Sequence, residues 1–487
     1  MTMRCVSLLA TCAAGLIALS AASAATLTWV GDTTNNDDWF SASNWSGGVV
    51  PGSSDHAQVN AGSSLTAPVR IVGNATPYSL KLGVASGEAG YLLLADGSLA
   101  TATSQDTYVG DGGTGHLKVT AGTFSTRELH IGQQNGSNGT VVVESGATSF
   151  TASRDTYLGY AGTGSFLASR AVTLATSGGG VTLGYEATGN GTLKLLNSST
   201  GLTVGTGKYI KVGVSGTGLF EVHGGTVSSS GVGQTQQLVV RDQPSATGTL
   251  QGYGTFAMGG GIKNNGLIIA DGFVGAVSDV TLDLSALDGN NGPSVINDIE
   301  NTTINGWYAR NRAKLTLAKV PVAAGESAVN WGEQNRYGDG SVYAEDAEID
   351  LVNSMRVAFD ASNSSGNLTV GLLSADRSDV AGPAPDGVTF IGVWDVAYTG
   401  TFAQADLSIR YDHVAADGLT PILYHYFTDA WVDITGDVDD VNHIISGTTG
   451  SFSQFAVGVV IPEPASLALL GLGGLILCGR RWKRHSV

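Results

Sequence analysis

Short apolar runs recur through the first half of the chain, each entered and left through glycine. YLLL (91–94), HLKV (116–119), TVVV (140–143), SFLA (165–168), TLKL (192–195) and LFEV (219–222) are strands of about four residues by their side-chain alternation and β-branched content. An apolar residue followed by glycine sets their phase. The anchors are Leu82-Gly83, Val109-Gly110, Ile131-Gly132, Leu158-Gly159, Leu183-Gly184 and Val212-Gly213, at intervals of 27, 22, 27, 25 and 29 residues. A second glycine follows five or seven residues later: Gly90, Gly115, Gly139, Gly164, Gly189 or Gly191, and Gly218. Several of these strands carry another glycine three residues past their end: Gly97, Gly122, Gly146 and Gly225.

A strand this short cannot bury its apolar side alone, so each unit must stack on the next. Glycine supplies the positive φ that a sharp corner between strands needs. The pattern predicts an all-β chain. Its main body is a parallel β-helix or β-solenoid of Gly-rich 22–29-residue coils over residues 65–272. A β-sandwich of sequential hairpins is the rival, because the same glycine spacing suits hairpin turns. The stretch 248–272, with Asn264-Asn265-Gly266 as a turn, reads as the closing coils. From 273 glycine thins out, and Trp, Tyr, Asp and Arg increase. Residues 273–395 read as a β-rich segment and 396–461 as a β-sandwich-like C-terminal part, with a single domain over both as the alternative. That last part is similar to the domains that precede sorting tails in exported bacterial proteins.

Residues 25–64 hold Trp29, Trp39 and Trp45 among Asn, Asp and Gly, ahead of Pro51-Gly52 and Asp55. An aromatic cap closing the end of a stack is one reading of them, and a glycan-stacking platform is the other. The arrangement resembles the opening of exported bacterial proteins with autotransporter-like β-repeat passengers.

Both termini read as addresses. Residues 1–24 have a positive start at Arg4, an apolar stretch over 6–19, and small residues Ala22 and Ala24 at a cleavage site, which is a secretory signal peptide. Signal peptidase and the export machinery are then partners. At the other end, residues 462–487 run from Pro462-Glu463-Pro464 through an apolar segment, Ala465–Cys478, to Arg480-Arg481-Trp482-Lys483-Arg484. As a helix the apolar segment spans about 22 Å, short of a bilayer core of about 30 Å, but the abrupt basic end suits a cytoplasmic flank. A short C-terminal transmembrane helix is the expectation. The three parts in this order resemble the PEP-CTERM sorting signal. The resemblance implies a Gram-negative bacterium, an exosortase-type sorting enzyme as partner, an inner-membrane-anchored intermediate, and a final place at the cell surface or in an extracellular matrix with exopolysaccharide.

Charge and chemistry narrow the rest. Setting aside five terminal basic residues, Arg4, Arg480, Arg481, Lys483 and Arg484, leaves 19 basic residues against 41 acidic ones, a balance of −22. A body this acidic repels phosphate backbones, so nucleic acid is not an expected partner. Cys5, Cys12 and Cys478 all lie in the terminal segments, which leaves the body without thiol chemistry. The G-x-G-x-x-G of Gly110–Gly115 leads into a strand and not a helix, so it is not a dinucleotide site. The histidines show no H-x-H or H-E-x-x-H spacing, and no metal site is expected from them. Asp433, Asp437, Asp439 and Asp440 bunch as weak calcium candidates, but lack the EF-hand glycine and glutamate. No cofactor other than calcium is suggested. Acids in the repeat region fall singly near turns, and the recurring DTY of Asp106–Tyr108 and Asp155–Tyr157 reads as repeat architecture. No catalytic residue is expected. The reading is an exported, non-catalytic structural or adhesive protein, and the alternative is a β-helix that binds or cleaves polysaccharide.

Overall fold

A computed structural model describes residues 24–461, apart from 35, 230–235, 291–304, 318, 327, 333–350 and 361. Residues 1–23, where the expected signal peptide with Ala22 falls, and the tail from Pro462 onward lie outside the described residues. Among those described, helix is confined to a turn at Ala42–Asn44 and a short helix at His413–Ala416.

The repeat is a β-solenoid. Each coil contributes up to three strands, as in Thr107–Val109, Thr114–Val119 and Gly122–Thr126. We call the three positions faces 1, 2 and 3. Face 1 is a sheet of 11 strands, from Thr26–Thr28 to Asp288–Asn290, and all its neighbours are parallel. Parallel pairing between coils rules out the rival built from sequential hairpins, whose neighbours would be antiparallel. Faces 2 and 3 stack the same way, with Val141 in register with Leu117 on one side and Phe166 on the other.

The glycine pattern follows from the closeness of these stacked backbones. All six anchor glycines have φ between 62° and 77°. The second glycines form a column in register, Gly90, Gly115, Gly139, Gly164, Gly191, Gly218 and Gly248. At Gly164 a Cβ would lie 2.2 Å from the amide nitrogen of Gly159 and 2.3 Å from the carbonyl oxygen of Ile131. No side chain fits there. Residues pointing inward from the three faces fill the core, with Phe124 stacked on Phe150 at 4.5 Å and Phe150 edge-on to Phe166 at 5.2 Å. All three rings are buried, each contributing about 1.5–3 kcal/mol through burial.

Parallel stacking extends beyond residues 65–272 in both directions. Thr26–Thr28 and His56–Val59 are already face 1 strands, and on the far side Gly306–Arg310 and Ala313–Thr316 still pair parallel with the coil before them. The loss of glycine after 272 therefore marks different corners and not the end of stacking.

Ala313–Thr316 is the splice between two architectures. It pairs parallel with Val280–Asp283 and antiparallel with Gly366–Leu373. From there one layer continues antiparallel through Val388–Tyr398, Gln454–Val460, Pro421–Phe427 and Ala430–Asp433. A second antiparallel layer orders Ala328–Trp331, Met355–Phe359, Ala405–Arg410, Ile444–Thr449 and Thr435–Asp439. These layers draw strands from both 273–395 and 396–461, so the two segments form one sandwich. Its core residues Met355, Leu407 and Val457 belong to the same cluster as the solenoid core.

Candidate functional site

Face 1 strands are three to five residues long, and in eight successive ones an outward side chain aligns from coil to coil. In register these form one column: Lys81, Tyr108, His130, Tyr157, Thr182, Lys211, Val239 and Lys263. Its middle is aromatic. The Lys81 ammonium sits 4.6 Å from the centre of the Tyr108 ring, and Tyr108 stacks on His130 at 4.6 Å. His130 stacks on Tyr157 at 5.1 Å, and Tyr157 meets the edges of Tyr160 and Tyr185, which stack on each other at 4.7 Å. Each such contact adds about 0.5–1.5 kcal/mol beyond burial. Tyr108, His130 and Tyr157 lie face to face, so most of their π-surface is spent on one another.

A carboxylate column runs beside this ladder. Asp106, Glu128 and Asp155 stand two residues before Tyr108, His130 and Tyr157, in three successive coils. The amide of Thr107 donates to the Glu128 carbonyl at 3.0 Å, and that of Leu129 donates to the Asp155 carbonyl at 3.1 Å. The Arg127 guanidinium donates through Nε and Nη2 to both oxygens of Asp106, at 2.8 and 3.0 Å, and approaches Glu128 at 3.6 Å. That hydrogen bond raises the Arg127 pKa further. Asp155 instead accepts the Gly180 amide at 2.9 Å. Burial first, and then the charges of Asp106, Asp111 and Glu128, push the Tyr108 hydroxyl up to about 12. Burial and Asp155 raise Tyr157 as well. Both phenols therefore stay protonated through the physiological range.

Among the described residues, the side chains whose ligand atoms gather closely enough to hold a metal ion are Asp106, Glu128 and His130, all within 4.8 Å of one another. The sequence reading missed this group because it treated acids and histidines by spacing within a coil. The signal was present: DTYVG, ELHIG and DTYLG share the anchor glycine, and each has an acid four residues before it.

The sequence candidates are placed otherwise. Trp29, Trp39 and Trp45 are buried, packed edge to face at 5.3 and 4.6 Å, with the Trp45 indole donating to the Trp39 carbonyl. Covered rings give a sugar nothing to stack on, so of the two readings the burial favours the aromatic cap over the glycan platform. The need for a cap is physical, since an open edge strand would template pairing with another chain. Here the Ser46 amide donates to the Thr28 carbonyl, and the Trp39 amide to the Arg70 carbonyl. The calcium candidates separate: Asp433 ends a strand of one sandwich layer, while Asp437 and Asp439 lie on a strand of the other. Asp439 closes its own turn, accepting from the amides of Val441 and Asn442. Ala24 is exposed at the start of the described chain.

The last described strand, Gln454–Val460, lies within the sandwich, and the Ile461 amide donates to the Gly387 carbonyl at 3.0 Å. Residues 460–484 match the PEP-CTERM protein-sorting motif. The PEP-CTERM motif implies an exported protein, handled by exosortase-type sorting machinery through a membrane-anchored intermediate. The sorting residues Pro462, Glu463 and Pro464 fall inside the match, as does the apolar segment 465–478, which lies outside the described residues. Among the described residues no helix is long and apolar enough to cross a membrane. No curated protein and no solved structure matches the chain.

Proposed function

We propose that the protein is a non-catalytic structural or adhesive component of the cell surface or its surrounding polymer, delivered by its PEP-CTERM tail. The sorting motif on a stacked, end-capped β-body carries this reading. The body suits a durable exterior element. Ion pairs tie neighbouring coils together on its surface, as in Lys81–Asp111, Lys194–Glu221 and Lys211–Asp242. Cell fractionation with an antibody to the body tests delivery, in the native host and in a strain lacking its exosortase. Surface or matrix signal is expected in the first strain and inner-membrane retention in the second. Intact body in the cytosol of both overturns it.

The association with exopolysaccharide belongs to the same proposal. It is supported by the sorting class alone and is tested by co-sedimentation with acidic and neutral glycans. A second reading, polysaccharide binding or cleavage by the solenoid itself, rests on the half-exposed Tyr160–Tyr185 pair beside the carboxylate column. Shortening of glycan chains by the purified protein would replace the first reading with the second.

A further inference from the structure

We propose that Asp106, Glu128 and His130 form a binding site for a divalent transition-metal ion held between two adjacent coils. Two independent observations meet there. The first is convergence: one oxygen from each carboxylate and one imidazole nitrogen lie within 4.8 Å of one another, brought together by the register of Thr107 with Leu129.

The second observation is the state of His130. Its side chain is 91% buried, being 9% accessible. Its Nδ1 lies 2.7 Å from the Gln133 side-chain oxygen, so the ring donates there and, in its neutral form, carries its lone pair on Nε2. That Nε2 is buried without a hydrogen-bond partner, and it faces the Glu128 carboxylate oxygen at 3.4 Å. With the ring neutral, two electron-rich atoms face each other across that gap. A cation between them removes the conflict. An outer partner that fixes one imidazole nitrogen while the other faces anionic oxygens is the arrangement of metal-ligating histidines.

The neighbours suit the role. Stacking between Tyr108 and Tyr157 covers the faces of the His130 ring and fixes its plane, leaving the in-plane nitrogen free to coordinate. Arg127 fixes Asp106, and each carboxylate oxygen retains a lone pair beyond the one the guanidinium uses. One imidazole nitrogen with two carboxylates is a borderline donor set that selects zinc or its first-row neighbours. Calcium wants six to eight oxygens. The ion would tie one coil to the next at the centre of the aromatic ladder.

The test uses the purified full chain, stripped with chelator and titrated with Zn²⁺ by calorimetry, with Co²⁺ absorption as a report on nitrogen ligation. The expected result is one tight Zn²⁺ per chain, weakened at least tenfold by Glu128→Gln and by His130→Gln, and unchanged by His443→Gln. Glu128→Gln preserves shape, and an unaltered circular dichroism spectrum of its metal-free form shows that lost binding is not lost fold. If Zn²⁺ does not bind, His130 and Glu128 are an ordinary imidazolium–carboxylate pair and the proposal falls. It falls equally if binding survives both ligand substitutions or depends on His443.

Discussion

In the solenoid each strand runs parallel to a neighbour one coil away, as Thr140 pairs with Ser165, while the sandwich builds antiparallel neighbours, some from tight hairpins such as Tyr424–Phe427 on Ala430–Asp433. Both use short alternating strands, but they space their backbones differently. In the solenoid a whole corner lies against the corner below, so backbone packs on backbone and glycine becomes obligatory. In the sandwich crowding varies from strand to strand: a Cβ on Gly447 would lie 2.3 Å from the Ile434 carbonyl oxygen, while one on Gly436 would make only ordinary van der Waals contact. A Cβ on Gly436 would meet nothing closer than 3.4 Å, against 2.2 Å at Gly164. The glycine content of the first half is thus a consequence of stacking.

The largest expected effect breaks that contrast directly. Gly164→Ala forces the coil below or above to shift and should cost about 3–5 kcal/mol or prevent folding, whereas Gly436→Ala should stay within about 0.5 kcal/mol. Urea denaturation of the two variants measures both. Equal costs would mean that the corners are not packed as described.

The acid response separates the regions next. Burial holds the imidazole of His425, stacked on Phe455 in the sandwich, below its ordinary pKa. The unfolded chain then takes up that proton first. The contribution of neutral His425 is full above about pH 6.5, declines as pH falls below it, and is lost once the folded group is also protonated. In the solenoid, burial alone would raise Glu221, but hydrogen bonds from His223, Gln251 and Lys194 outweigh it and hold the carboxyl below its usual range. Its contribution is full above about pH 4.5 and is lost as pH falls through the folded value. His116 on the solenoid is lowered too, by burial and by Lys118, so a substitution is needed to isolate the sandwich. His425→Gln should flatten the stability profile between pH 7 and 5 in urea midpoints, and an unchanged slope would contradict the assignment.

The smallest expected effect lies at the splice. Lys314 on the last solenoid strand pairs with Asp395 of the sandwich at 2.9 Å, in a partly exposed setting. Lys314→Met should cost no more than about 1 kcal/mol, because the shared apolar core and strand pairing join the two regions. A loss several times larger, or separation into two unfolding transitions, would show that the junction depends on this pair.

Much of the solenoid was legible because its corners are written locally. The anchors Gly83 to Gly213 announce the coil, and alternation announces which residues enter the core. The tail was legible for the same reason, its three parts lying in one short run. What escaped was information held between coils. The convergence of Asp106 with Glu128 and His130 needs the register across a coil, which alignment on Gly110 and Gly132 already contained. The burial of Trp29, Trp39 and Trp45 depends on where the stack begins, and the boundary near 273 was misplaced because thinning glycine was taken for the end of stacking. The parting of Asp433 from Asp437 and Asp439 results from the chain changing layers at Ile434, which a run of aspartates does not reveal.

The register between coils is also the most exposed point of the account. The body contains no cysteine between Cys12 and Cys478, so a designed pair reports without interference once those terminal thiols are replaced. Thr140 and Ser165 stand opposite each other on adjacent parallel strands, where Cα atoms lie about 4.8 Å apart, within disulfide range. Thr140 and Leu167 are offset by two residues, about 8 Å apart and out of range. Under mild oxidation, Thr140→Cys with Ser165→Cys should close a disulfide in nearly every folded chain, read by mass spectrometry, and Thr140→Cys with Leu167→Cys should not. Closure of the offset pair in preference to the aligned one would contradict the stacked, in-register solenoid.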